Sequence, residues 1–132
     1  MTNQEAFNRV WQHFVVEKQP RSYVNNDGCC YRGPNGAKCA VGVLIPDELY
    51  RPEMEDWSVT SLNSRADEFP TLFGPGGCLA GANIDLLTRI QAAHDSYSIY
   101  GNPEFDRYMG KRLREIAQQF SLTIPEPGGS IA

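Results

Sequence analysis

Cys29, Cys39, His94 and Asp95 are the residues here that could do nucleophilic chemistry, and Tyr31, Arg32, Lys38, Asp47, Glu48 and Tyr50 are those that could recognise a ligand. The second set is the denser. Its rings can stack on a base, its guanidinium can fork a phosphate, and its carboxylates can accept from ribose hydroxyls or exocyclic amines. A cysteine nucleophile asks for more: a thiolate stabilised by a nearby cation or helix N-terminus, a histidine base, and an acid to orient that base. The cations nearest in sequence are Arg32 and Lys38. On a helix, Asp95 is displaced by about 100° from His94, which makes it a poor orienting partner and leaves Asp47 as the other acid. Non-catalytic binding through Tyr31, Arg32, Lys38, Asp47, Glu48, Tyr50, His94 and Asp95 is therefore the leading reading. The alternative is a cysteine and histidine-dependent hydrolase using Cys29, Cys39 and His94.

These residues sit on a stretch with strong turn chemistry, Gly33-Pro34-Asn35-Gly36. Proline presets φ at the second turn position, and Gly36 can take the left-handed conformation that completes a three-residue hairpin loop. The expectation is a β-hairpin in which Tyr31 faces Cys39 and Cys29 faces Val41, with Arg32 and Lys38 on the opposite face. A two-residue Asn35-Gly36 turn would instead place Arg32 opposite Cys39. Gly42 in the following apolar run marks either a close backbone approach or an early turn into helix. Pro46 suits a helix start, with Asp47 and Glu48 at its positive end.

Helical periodicity covers much of the remainder. From a cap at Thr2 or Asn3, Phe7, Val10, Trp11, Phe14 and Val15 form one stripe, with His13 off it on the solvated side. Ser58 is placed to cap a short helix running towards Phe69 and stopped by Pro70. The glycine-rich segment 73–81 is read as a surface loop, since its resemblance to a phosphate-binding loop lacks the Gly-Lys-Ser/Thr ending. Asn83 caps a helix with Leu86, Leu87, Ile90, Ala93, His94 and Tyr97 inward, so His94 is first a core histidine and second a site residue. Asn102 and Pro103 open a last helix whose stripe is Phe105, Met109, Leu113, Ile116 and Phe120. The predicted architecture is α+β: a small, mainly helical single domain over 1–124 with one β-hairpin, and a flexible tail over 125–132.

With 132 residues and 41% apolar composition, the chain can build one modest core. A net charge of -4 argues against coating nucleic acid or an anionic membrane, and no apolar run approaches the roughly 18 residues of a membrane span. The N-terminus lacks a signal-peptide layout, so a cytoplasmic location with reduced cysteines is expected. Cys29, Cys39, Cys78 and His94 are spaced wrongly for a structural zinc site, and nothing calls for a metal or another cofactor.

The segments Cys29-Cys30-Tyr31-Arg32-Gly33-Pro34-Asn35-Gly36-Ala37-Lys38-Cys39-Ala40-Val41-Gly42 and Leu44-Ile45-Pro46-Asp47-Glu48-Leu49-Tyr50, and more weakly Gln91-Ala92-Ala93-His94-Asp95, resemble a family of short uncharacterised proteins of tailed phages, prophages and plasmids. Cys30 falls where that pattern is open, which removes it from the candidates. The resemblance implies accessory work against a bacterial host, in the host cytoplasm. By analogy with small viral proteins that sequester nucleotide immune signals, it favours a sponge for a small anionic, nucleotide-derived ligand, with a homo-oligomer as one way to enclose it. The same origin fits a protein inhibitor that docks on a host defence complex.

Overall fold

The computed structural model describes residues 1–20, 22, 30–33, 36–95 and 104–125. Thr2 caps the first helix, α1 (Asn3–Trp11), because Glu5 stands three residues on. The Thr2 hydroxyl accepts the Glu5 N–H at 3.1 Å and the Glu5 carboxylate accepts the Thr2 N–H at 2.9 Å. The helix then widens into a π turn over Gln12–Val16, where the Glu17 N–H reaches back to the Gln12 carbonyl. Short 3-10 turns come next, at Gly42–Leu44, Asp47–Leu49 and Pro52–Asp56. The remaining helices are α2 (Val59–Ser64), α3 (Pro70–Phe73), α4 (Ile84–Asp95) and α5 (Phe105–Gln119). No strand occurs among the described residues, so the expected α+β class with a β-hairpin is corrected to an all-helical one.

The hairpin fails for a local reason. Its loop does close in the first of the two registers considered: the Gly33 N–H donates to the Ala37 carbonyl at 2.8 Å, and Gly36 has φ +78°. Beyond that bond, side chains take the groups a ladder would need. The Glu55 carboxylate accepts the Tyr31 and Arg32 N–H groups, and the Arg32 guanidinium takes the carbonyls of Tyr31, Gly42 and Ile45. The 39–45 run coils instead, with the Val43 N–H on the Cys39 carbonyl and the Ile45 N–H on that of Gly42. A Cβ on Gly42 would lie 2.4 Å from the Tyr31 carbonyl oxygen, so the two segments meet at a backbone contact only glycine allows.

The core is a helical one. Phe7, Val10, Trp11 and Phe14 of α1 and its π turn, Leu86, Leu87 and Ile90 of α4, and Phe105, Met109 and Leu113 of α5 are all buried. Phe14 meets Phe105 edge to face at 5.6 Å, and α5 packs on α4, on α1 and on the π turn. The α4 and α5 stripes follow the periodicity, whereas Tyr97, Asn102 and Pro103 lie outside the described residues. Ser58 caps α2 as expected, accepting the Ser61 N–H at 3.2 Å, but that helix ends at Ser64 and Pro70 opens α3 rather than only stopping a helix. Pro46 precedes a single 3-10 turn rather than opening a helix. At the other end, the Gln4 amide and the Thr123 backbone exchange two hydrogen bonds of 2.7 and 2.9 Å, tying the chain after α5 to α1; the tail beyond Pro125 lies outside the described residues. Among the described residues no helix is long and apolar enough to cross a membrane.

Candidate functional site

Tyr31 and Cys39, the end of the Pro52–Asp56 turn, the start of α2 and the end of α4 surround a pocket of about 250 Å³. Its walls are Tyr31, Cys39, Glu55, Trp57, Ser58, Val59, Gln91 and Asp95. Three of these were expected site residues: Tyr31, Cys39 and Asp95. Tyr31 is buried, its hydroxyl donating to the Trp57 carbonyl at 2.7 Å, and burial first, then the charges of its neighbours, push its pKa well above the ordinary tyrosine value. The phenol therefore stays protonated. Cys39 is also buried, and its sulfur accepts the Gly42 N–H at 3.4 Å.

Asp95 and Gln91 stand four residues apart on one face of α4, so the Gln91 amide reaches the Asp95 carboxylate at 2.9 Å while its own oxygen accepts the Val41 N–H at 3.0 Å. His94 lies behind this wall, fully buried, with Phe14 and Phe105 at ring distances of 5.5 and 5.7 Å. Its Nε2 accepts the Ser22 N–H at 3.2 Å, which assigns the ring proton to Nδ1, 3.0 Å from the same Asp95 oxygen. The two neighbours on the helix do meet, contrary to the angular argument from their backbone positions. Both imidazole nitrogens are thereby engaged, Nε2 by Ser22 and Nδ1 by Asp95. Cys29 lies outside the described residues.

The cations expected to hold phosphate stand elsewhere. Arg32 is sunk to 16% side-chain exposure and spends its guanidinium on the carbonyls of Tyr31, Gly42 and Ile45 and on Asp47 at 2.9 Å. It also lies over the Tyr50 ring at 5.0 Å. Lys38 is 3.6 Å from the same Asp47 oxygen. Arg32 first and Lys38 next hold the Asp47 carboxyl below the usual carboxylate range. Glu48 is exposed and lines a separate surface groove with Leu49, Arg51 and residues 67–71. Tyr50 donates its hydroxyl to Glu55 at 2.7 Å; desolvation first, then that bond, raises its pKa to about 12.

Glu55, Trp57 and Gln91 were missed as site residues. Glu55 carries no sequence signal, being one acid in a charged, irregular segment, yet it accepts from two backbone N–H groups and a phenol. Trp57 offers a half-buried indole whose ring is covered by the Arg65 guanidinium at 3.8 Å. Gln91 was legible in principle, since its spacing from Asp95 places both on one helical face. His13, read as solvated, is instead half-buried against Phe14 at 4.6 Å, with Nε2 sealed from solvent and without a partner among the described residues. Desolvation lowers its pKa to about 4. Among the described residues no group of three or more His, Cys, Asp or Glu side chains could hold a metal ion, and Cys30, Cys39 and Cys78 carry no disulfide. In comparisons with known proteins, no family model, curated protein or solved structure matches this chain significantly.

Proposed function

We propose that the protein binds a small nucleotide-derived molecule and holds it without chemistry, one donor-bearing heterocycle of that molecule entering the pocket bounded by Tyr31, Glu55, Trp57, Gln91 and Asp95. The observation that supports this is the composition of the walls: two aromatic residues, Tyr31 and Trp57, and two carboxylates, Glu55 and Asp95, around about 250 Å³. Ring N–H groups, exocyclic amines and ribose hydroxyls are donors, and the Asp95 carboxylate, held in place by Gln91 and His94, is an acceptor that can discriminate among them. At rest the lining carries two carboxylates, Glu55 and Asp95, and no cation of its own, so phosphate does not enter beside the ring while the Glu55 carboxylate stays in place. The volume lies at the small end for ligand sites, which suits one ring system with the remainder of the ligand projecting outward. A second copy of the chain is one way to cover that remainder.

Holding rather than turnover is favoured by His94. A base for Cys39 would have to give up the Ser22 and Asp95 bonds inside a fully buried site. The similarity of the Cys29–Tyr50 motif to short phage, prophage and plasmid proteins supplies the setting of the proposal, removal of a host immune signal. The test is depletion and release: the protein is incubated with cyclic dinucleotides and cyclic ADP-ribose-type signals, separated, heat-denatured and the supernatant analysed by mass. Recovery of an intact signal is expected. A cleaved product would replace this reading with the hydrolase, and failure to deplete any signal would replace it with the protein inhibitor.

A further inference from the structure

Two consecutive backbone N–H groups, those of Tyr31 and Arg32, and the Tyr50 hydroxyl converge on the Glu55 carboxylate at 2.9, 3.0 and 2.7 Å. Successive main-chain N–H groups that hold the two oxygens of one anion form a concavity suited to it, and here Glu55 fills it, Oε1 on the Tyr31 N–H and Oε2 on the Arg32 N–H and the Tyr50 hydroxyl. The Tyr50 phenol is a fixed donor at neutral pH, its pKa standing at about 12. The Arg32 guanidinium over the Tyr50 ring adds positive charge beside the site, partly offset by Asp47. Glu55 and Tyr31 both also line the pocket proposed above for the ligand ring, which Arg32 and Tyr50 do not line.

We infer that the meeting point of the Tyr31 and Arg32 N–H groups and the Tyr50 hydroxyl is an oxyanion site, occupied at rest by the Glu55 carboxylate and taken by a phosphate group of the ligand when that side chain rotates away. The inference rests on the binding proposal for its ligand, and it reconciles an acidic resting pocket with an anionic ligand: rotation removes one negative charge from the lining and exposes three donors. Glu55 acts as an internal competitor, so the site rejects weak anions and accepts one delivered together with a ring that the pocket also holds.

The experiment is Glu55→Ala titrated with inorganic phosphate, followed by amide resonances and by melting temperature. The Tyr31 and Arg32 amides should shift with phosphate, the melting temperature should rise by a few degrees at saturation, and the wild type should bind phosphate at least about tenfold more weakly. A folded Glu55→Ala protein whose Tyr31 and Arg32 amides ignore phosphate overturns the inference. If that variant does not fold even with phosphate present, Glu55→Gln, which keeps the volume and removes the charge, is titrated under the same criteria. The two proposals fail separately. Retention of a nucleotide signal by wild type with no phosphate response in either variant removes the oxyanion site and leaves the pocket; a phosphate response without retention of any signal leaves the oxyanion site and removes the nucleotide.

Discussion

Replacing Arg32 with alanine leaves three backbone carbonyls without their charged donor and Asp47 without its nearest cation. We expect a stability loss of about 2–4 kcal/mol, measured by urea denaturation. Arg32→Lys should recover less than half of it, because an ammonium cannot reach carbonyls on both sides. Ligand recognition and loop stapling ask for the same chemistry, so residue type alone favoured a phosphate contact, and only the fold reveals where the guanidinium is spent. His13 makes the second prediction at this scale. Its folded pKa of about 4 lies below the ordinary histidine value of 6.5, so above pH 6.5 both folded and unfolded chains keep it neutral. As pH falls through that window the unfolded chain takes up a proton that the folded chain refuses, and stability is lost until the folded pKa is passed. Glu17 opposes the shift and Lys38 and His94 add to it, but desolvation dominates. Discounted for partial exposure, the loss attributable to His13 is roughly 1–2 kcal/mol between those limits. His13→Gln should flatten the curve of unfolding free energy against pH by that amount, while carboxylates common to both proteins cancel; an unchanged slope would mean that the ring is solvated.

Gly42 is where the motif segment is most sensitive as an element, since a Cβ there would fall 2.4 Å from a carbonyl oxygen that has no flexible side chain to yield. Gly42→Ala should cost about 1–3 kcal/mol and disturb the Tyr31 amide first, readable as an amide shift and a lower denaturation midpoint. The long helices were legible because an apolar repeat near 3.6 residues depends only on which face meets the core, and Phe7, Val10, Ile90 and Leu113 all obey it. The hairpin reading was wrong, although the turn chemistry did point to the Gly33 N–H on the Ala37 carbonyl. The identity of the partners lay beyond reach, because Glu55, distant in sequence and in an irregular segment, competes for the N–H groups of Tyr31 and Arg32. The π turn was hidden as well. The apolar repeat of 3.6 residues does not announce a five-residue turn at Gln12–Val16, the turn in which His13 lies half-buried against Phe14.

At the scale of the whole molecule, the pocket joins three stretches that no local pattern links: the motif around Tyr31 and Cys39, the turn carrying Glu55 and Trp57, and one face of α4. Residue types and spacing therefore pointed to Tyr31, Cys39 and Asp95 but grouped them with Lys38 and Asp47, which the fold sends to a separate ion pair. Trp57 offers a direct probe of the pocket, because the other tryptophan, Trp11, is buried in the core. A ligand ring stacked on the indole should change its fluorescence, and Trp57→Ala should weaken retention about tenfold or more, from the loss of roughly 1–3 kcal/mol of stacking. Melting temperature serves as the control for folding, since the indole is only half-buried. The most direct test of the central claim, a ligand held intact in this pocket, is depletion and heat release of the nucleotide signals by wild type and Trp57→Ala in parallel. Wild type is expected to deplete one signal and release it at unchanged mass, while a folded Trp57→Ala protein retains about a tenth or less. A released product of altered mass, or equal retention by the two proteins, would contradict it.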